Sequence, residues 1–529
     1  MFTLHHAAIL EHGEPENGSR KPLDGVRREA HNGPMPLPDR ATCVRIFASR
    51  DARYDGRLFV GVKTTGVYCR PICRVRAPKP VNCVYFTSAA AAQAAGFRSC
   101  LRCRPETAPT LWAWNGTSTT VDRALGLIAS GALDDEQVGG LATRLGIGER
   151  HLRRLFAEHL GTTPIAVVQT RRVLFAKKLI TDTSLPMTQI ALASGFSSVR
   201  RFNEAMRAVY KRPPTELRRA RTAPPGAGEG VTLALAYAGP YDWPATMAWL
   251  GARAVGGVEA VYGDGRYVRS ISLDGDAGTI EITPVPERSQ LRATIRFPKV
   301  AALLAIVDRV KRIFDLDADL VTIEEALAAD PRLAPLLAQR PGLRVPGAWD
   351  GYELAVRAVL GQQITVGAAS SLAARLVRRF GRPLPPQLQV EGVDLVFPAP
   401  ERLAEADIAS LGMPRARAEA VRAVARAAAE DPRYFAPSHD LAGSIERLCR
   451  LPGVGEWTAH YIAMRALREP DAFPAADIGL MRALATGALR PSARQLSAIA
   501  EAWRPWRAYA ALHLWAADAE AASARRNIA

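Results

Sequence analysis

Six of the seven cysteines in this 529-residue chain lie before residue 104, and four of them form two tight pairs. Cys69 and Cys73 sit in YCRPICR, and Cys100 and Cys103 sit in FRSCLRCRP. A disulfide-stabilised protein would not leave everything after Cys103 with Cys449 alone. In a reducing compartment such a cluster points to metal. Two short-spaced pairs suit one tetrahedral zinc ion with four thiolate ligands: Cys69, Cys73, Cys100 and Cys103. Cys43 and Cys83 have no short-spaced partner and read as packing residues. A purely structural zinc knot has the same spacing, so the neighbours matter. Arg70, Arg74, Arg76, Arg98, Arg102 and Arg104 crowd the ligands, which suits a site built to face phosphate.

The rest of the chain is too long for one core. At roughly 100–200 residues per domain, about three to five are expected. Hydrophobic residues make up 48% and charged residues 23%, which excludes wholesale disorder. No run reaches the ~18 apolar residues of a membrane span. The first residues, MFTLHHAAILEHGEPENG, show no basic leader before an apolar run, so neither membrane nor secretion is expected. The expected location is the bacterial cytoplasm, on the nucleoid. A net charge of +17 favours a polyanionic partner, although a GC-rich genome alone also raises arginine.

Along the chain, residues 1–40 carry Pro, Gly, Glu, Arg and His without apolar periodicity and read as a disordered tail, with Met35 an alternative start. A compact cysteine-rich unit spans 41–110, and a helical pattern runs over 118–220. The segment TAPPGAGEG marks a linker at 221–230, which implies separately folded halves. Strand-like alternation follows over 231–300, in VTLALAYA, RYVRSISL, GTIEITPV and QLRATIRF, and Ala/Leu/Arg-rich helices fill 301–525. The expected fold class is multidomain α+β. It comprises a small zinc-bound α/β domain, an all-α double helix-turn-helix domain, a small α+β sheet half-domain and an all-α domain.

The segments FVGVKTTGVYCRPICR and AAGFRSCLRCRP resemble the N-terminal domain of Ada-type methylphosphotriester repair proteins, over residues 43–107. The resemblance implies that Cys69 accepts a methyl group from an alkylated DNA phosphate. The chemistry is sound, because zinc holds a thiolate at neutral pH and a thiolate displaces at a methyl carbon. Methylation makes the site about one charge less negative, so DNA repels it less.

Two segments, LATRLGIGERHLRRLFAEHLG from Leu141 and MTQIALASGFSSVRRFNEAMRAVY from Met187, each give a short helix, a Gly-containing turn and a basic second helix. From Arg144 to Arg219 there are fifteen Lys/Arg against five Asp/Glu, a local net of +10. In tandem, and closing on YKRPPTELRR, they resemble AraC-type DNA-binding domains. The resemblance places recognition helices near 149–159 and 198–209 in successive major-groove turns, roughly 34 Å apart. Arg150, Arg153, Arg154, Arg200, Arg201 and Asn203 are the candidate DNA contacts. A regulator of this class also implies RNA polymerase as a partner.

The stretch LCRLPGVGEWTAHYIAMRAL from Leu448 has a helix-hairpin-helix signature. Gly453 and Gly455 let backbone approach closely, and the next helix offers free N–H groups to a phosphate. Twenty residues after Trp457 comes Asp477, in FPAADIGLMRAL. An N-cap is the bland reading of that aspartate. With the hairpin at this spacing it resembles the catalytic carboxylate of helix-hairpin-helix glycosylases. YAGPYDWPATMAWLGARAVGGVEAV, LAVRAVLGQQITVGAASSLAARLV and WRPWRAYAALHLW narrow the resemblance to the AlkA type, 3-methyladenine glycosylase II, over about 231–520. The resemblance implies an aromatic pocket of Trp457, Tyr461 and Trp515, and a loop Gln362–Gln363 entering the DNA stack. Trp503 and Trp506 read as core. At the wedge position, where a bulky apolar residue is usual, this chain has Gln363.

Bifunctional relatives carry a lysine two residues after the hairpin's last glycine. Here Gly455-Glu456-Trp457 supplies none, so no lyase step is expected. Cys449 alone cannot hold an iron–sulfur cluster, and no P-C-H-R motif for O-alkylguanine repair is present. The whole reads as an alkylation-response protein acting on double-stranded DNA, combining activator and base-excision roles. The alternative is a transcription factor that keeps a catalytically degenerate glycosylase module, and intact Asp477, Tyr461 and Trp515 argue against it.

Overall fold

The computed structural model describes residues 37–109, 119–129, 131–135, 137–218, 230–436, 441–485 and 489–528. The expected tail through residue 36 and the linker over 221–229 lie outside them. The first described helix is Arg40–Ser49, whose first turn is capped by the Asp39 carboxylate accepting from Thr42 N–H. The chain is a multidomain α+β protein.

Its first sheet has four strands, β1 Phe59–Val62, β2 Val67–Cys69, β3 Cys83–Phe86 and β4 Arg98–Ser99, in the order β3-β1-β2-β4. Strands β2 and β4 run parallel, with Tyr68 opposite Ser99. Parallel strands end at the same sheet edge, so Cys69, which ends β2, and Cys100, which follows β4, emerge side by side. Cys43 and Cys83 are buried in the packing behind them.

The helical region holds two helix-turn-helix units joined by a 19-residue helix, Pro164–Asp182, here termed the spine. Gly146 and Gly195, at φ +67° and +77°, make the two tight turns. The second helices are Glu149–Leu160, which buries Leu152, Leu155, Phe156 and Leu160, and Val199–Tyr210, which buries Phe202, Met206 and Tyr210.

The second sheet contains β5 Val231–Ala236, β6 Glu259–Val261, β7 Tyr267–Leu273, β8 Asp276–Val285 and β9 Gln290–Arg296. All neighbours pair antiparallel in the order β5-β9-β8-β7-β6. Strand β7 is buried on both faces through Ile271, because Val268 packs on the far side against Leu384, Val393 and Val396. The helix Gly351–Leu360 is buried almost all round and centres the C-terminal helical core. Buried charges bolt that helix to the sheet: Arg269 donates to Glu353 at 2.6 Å, and Arg357 lies 2.7 Å from Glu259. Among the described residues, no helix is long and apolar enough to cross a membrane.

The two halves are not separate beads. Val173, Ala176, Ile180, Ile190 and Ala193 of the helix-turn-helix region share a core with Leu233, Leu235, Ile282 and Ile295 of the sheet. The linker composition predicts independence; the apolar face of the second sheet overrules it.

Candidate functional site

The four expected ligands converge. The Sγ atoms of Cys69, Cys73, Cys100 and Cys103 all lie within 4.8 Å of one another, and none is in a disulfide. Four thiolates this close repel one another without a cation among them. The donor set and spacing fit zinc, which takes sulfur ligands at about 2.3 Å in a tetrahedron. Cys103 is the least covered of the four, while Cys69 is only 6% exposed.

The arginine collar differs from expectation. Arg70 does not face outward: it is buried and ion-paired with Asp55, and it donates to the Cys103 carbonyl at 3.1 Å and to Thr107 Oγ1 at 2.9 Å. Arg104 likewise turns inward, to Glu106 and Asp182. A buried guanidinium needs a carboxylate within reach to offset its desolvation, and Asp55 supplies one to Arg70. Arg74, Arg76 and Arg102 remain exposed, and Arg98 is half-buried.

Both second helices present their arginines to solvent. Arg150, Arg153, Arg154, Arg200 and Arg201 are exposed, and Asn203 is half-buried. Three of them rest on glutamates one turn away: Arg153 on Glu149, Arg154 on Glu158 and Arg200 on Glu204. Such exposed pairs are worth little, so a phosphate can displace them. The spine lysines are different. Lys177 and Lys178 are buried, so part of the +10 stripe serves the interior.

The third constellation surrounds Asp477. It caps the helix Ile478–Ala483, with Oδ1 accepting from Gly479 N–H at 2.8 Å and Leu480 N–H at 3.0 Å. The same Oδ1 accepts from Trp515 Nε1 at 2.9 Å, and Oδ2 accepts from Trp457 Nε1 at 2.9 Å. Four N–H donors therefore fix one carboxylate, more than a cap requires. Gly479 makes this possible: a Cβ there would lie 3.0 Å from Asp477 Oδ1 and 3.3 Å from Trp515 Cδ1.

Tyr461 stacks on Trp457 with ring centroids 5.4 Å apart and planes 6° from parallel, and it meets Trp515 at 6.4 Å. Three residues here are missing from the sequence reading. Trp249, from the helix Trp243–Ala252, lies 5.8 Å from Trp515, and its ring is covered by the Arg253 guanidinium at 3.4 Å. Arg465 donates to Tyr461 Oη at 2.7 Å. Burial alone would raise the Tyr461 phenol, but Arg465 and Arg253 overcome it and bring it down to about 8. The i,i+4 spacing of Trp249 and Arg253 is a signal, but only the packed halves show that it points at this pocket. Trp503, 1% exposed, and Trp506 are core, as expected.

The loop after the helix Gly351–Leu360 splits in two. Gln362 does not project: its side-chain amide donates to Gly453 O at 2.8 Å and Thr458 Oγ1 at 3.0 Å, and Arg417 donates to its backbone carbonyl at 2.7 Å. In this structure the Gln362 side chain fastens the loop to the hairpin instead of projecting from its tip. Gln363 is exposed at φ +58°, followed by the part-exposed Ile364. In the hairpin, Gly453 has φ +77°, and a Cβ on it would come within 2.5 Å of Ala420 Cβ. Gly455 faces open space at the N-terminus of the helix Glu456–Arg465, which has no side-chain cap.

Sequence models of four known domains match this chain in order. The metal binding domain of Ada matches residues 42–106, a helix-turn-helix domain 141–220, the AlkA N-terminal domain 232–350, and the HhH-GPD superfamily of base excision DNA repair proteins 356–507. A Mycobacterium tuberculosis protein, described as a probable bifunctional transcriptional activator/DNA repair enzyme AlkA, is 41% identical over 478 residues, covering 89% of this chain and 95% of that one. The chain belongs to the AlkA family of bifunctional transcriptional activator/DNA repair enzymes. Its glycosylase half is similar to the Escherichia coli DNA-3-methyladenine glycosylase 2, at 36% identity over 279 residues, which are 52% of this chain and 94% of that protein. The 3-methyladenine DNA-glycosylase structure from Archaeoglobus fulgidus overlies 54% of this chain and 97% of its own, with 23% identity and a TM-score of 0.48. As an AlkA-family member the chain carries DNA-binding and base-excision modules in one polypeptide.

Proposed function

We propose that this protein is a monofunctional DNA glycosylase for N-alkylated purines such as 3-methyladenine, fused to a zinc-thiolate methylphosphotriester acceptor and a sequence-specific transcription regulator. The observation that supports it most is the Asp477 carboxylate held by Trp457 and Trp515 beside aromatic faces. The division into a methyl-acceptor unit at 41–110, a regulator at 118–220, a half-domain at 231–300 and a glycosylase at 301–525 belongs to this reading. So does RNA polymerase as the regulator's partner.

An alkylated purine is positively charged and already a good leaving group. Its pocket needs stacking faces more than a dense hydrogen-bond code. Trp457, Tyr461 and Trp515 offer those faces. As the glycosidic bond breaks, its electrons leave with the base and positive charge develops on the sugar. Asp477, pre-oriented by four N–H groups, stabilises that charge without reorganising and can orient the attacking water. Gly455 and the uncapped helix behind it receive a DNA phosphate, and Gln363 stands at the loop tip facing the vacated stack. Position 457 is Trp rather than lysine, so the product is an intact abasic strand.

In the N-terminal unit, Cys69, Cys73, Cys100 and Cys103 would hold zinc, which keeps bound cysteine as thiolate at neutral pH. The Cys69 sulfur attacks the methyl carbon of a methylated phosphate, and the phosphate diester leaves with the electron pair. Arg74, Arg76 and Arg102, exposed around the ligands, meet the DNA backbone in this reading.

The test is Asp477→Asn. It should lower 3-methyladenine excision from duplex DNA by about 10²–10³ while leaving binding to an abasic-site analogue intact. Near-wild-type excision would return the module to a DNA-binding role only. For the other half, metal analysis should find one zinc per chain, and peptide mass mapping after exposure to methylphosphotriester DNA should place the methyl on Cys69 alone.

A further inference from the structure

The Cys100–Cys103 half of the metal centre is held partly by its own domain, through Arg70 on the Cys103 carbonyl, and partly from outside it. Lys177, in the middle of the spine helix and 2% exposed, reaches across and donates to the Cys100 carbonyl at 3.3 Å, Ser99 Oγ at 3.3 Å and Glu106 Oε2 at 2.7 Å. Ser99, the residue before the ligand, shares a 2.8 Å hydrogen bond with the Tyr210 hydroxyl. Tyr210 is the last residue of the second recognition helix, and the Lys177 ammonium sits 5.7 Å over its ring. One buried cation thus touches the backbone of a metal ligand, the hydroxyl beside that ligand, and the end of the helix that reads DNA.

A buried ammonium is costly unless it is fully partnered. Glu106 supplies one countercharge, and its side chain is wholly buried. Four cysteine thiolates around a divalent cation carry a net charge of about −2, so a cation held against their backbone adds favourable electrostatics. Partners that orient metal ligands in this way are worth a factor of about 10–100 in metal affinity.

We propose that Lys177 is a positioning residue of the metal centre, supplied by the DNA-binding domain, and that it makes metal loading and the seating of the Val199–Tyr210 recognition helix a single equilibrium. The proposal rests on the four-cysteine zinc reading. It does not require that Cys69 accept a methyl group. Linkage makes the effect reciprocal: whatever the seated helix adds to zinc affinity, zinc adds to the seating of the helix.

The experiment uses the full chain. Zinc affinity is measured by competition with a chromogenic chelator, alongside amide hydrogen exchange over residues 199–210 with zinc present and removed. Lys177→Met should hold zinc about 10–100-fold more weakly. Lys177→Arg, which keeps the cation, should recover part of that loss. Lys178→Met is the control: this neighbour is equally buried on the same helix, but it bonds Asp182 and the Ala234 carbonyl of β5 instead, so its zinc affinity should stay within about twofold of wild type. In the wild type, chelation should speed exchange at 199–210. In Tyr210→Phe, which removes one hydroxyl and little volume, that response should shrink, and this variant carries the test if Lys177→Met does not accumulate. The proposal is overturned if Lys177→Met binds zinc as wild type does, if Lys178→Met loses as much, or if exchange at 199–210 ignores zinc. A wild-type chain that takes up no zinc would instead sink the zinc reading itself.

Discussion

Each indole N–H on Asp477 is a hydrogen bond to a charged acceptor, typically worth about 1.5–3 kcal/mol. Trp457→Phe keeps a six-membered aromatic face toward Tyr461 and removes the donor to Oδ2. We expect kcat for 3-methyladenine excision to fall by about 10–100-fold with KM nearly unchanged, since base stacking survives. Single-turnover assays check this, and a rise in KM at constant kcat would assign the indole to binding instead. Tyr461 gives a second readout. Its phenol is lowered to about 8 in the folded protein against about 10 when unfolded, so its contribution to stability is complete above pH 10 and is lost as pH falls through 8. Absorbance at 295 nm should show one tyrosine ionising near pH 8 in the wild type. Tyr461→Phe should abolish that step, and Arg465→Gln should move it upward.

Among elements, the hairpin shows how far sequence carries and where it stops. L-P-G-V-G followed by a helix is legible because only glycine tolerates the geometry at Gly453. Its reason, though, is partly internal: with φ +77° and Ala420 Cβ 2.5 Å from any added Cβ, it is packed against the helix Arg415–Glu430. Gly453→Ala should therefore destabilise the folded chain by at least ~1–3 kcal/mol through overpacking and strain, visible as a lower midpoint in urea. Gly455→Ala, with open space around it and φ −91°, should leave the midpoint unchanged and weaken binding to an abasic duplex. The cysteine pairs, both helix-turn-helix units and four of the five strands of the second sheet are legible for the same reason, as each is a local pattern with a local cause. The short strand β6, the inward turn of Arg70 and the arrival of Trp249 and Arg253 at the pocket are not. Strand β6 is too short, at three residues, to show alternation, while Arg70 and the pocket residues depend on partners farther along the chain, Asp55 lying fifteen residues from Arg70.

At the scale of the molecule, the joint between the halves carries a consequence that the Pro/Gly-rich linker hides. The spine helix and the helix Met187–Ala193 lay Val173, Ala176, Ile180, Ile190 and Ala193 into the core that also holds Leu233, Leu235 and Ile295 of the sheet. Ionic contacts reinforce it, with Arg171 on Asp308 and Arg57 on Asp319, and Arg57 also donates to Thr322 Oγ1 at 3.2 Å. Exposing that face would return several large apolar side chains to water, each worth about 1.5–3 kcal/mol when fully buried. The loss per half is smaller, because neither face becomes fully hydrated and part of the surface repacks. A chain with an engineered protease site within 219–229 should therefore stay associated after cleavage and elute as one species at moderate salt. Residues 230–529 expressed alone should melt several degrees below the same region in the intact chain, given roughly 2–4 °C per kcal/mol for domains of this size. Calorimetry of the intact, cleaved and isolated forms checks this. Halves that part on cleavage, and an isolated glycosylase half that melts where it does in the whole chain, would show that the shared core contributes nothing to holding the two activities together.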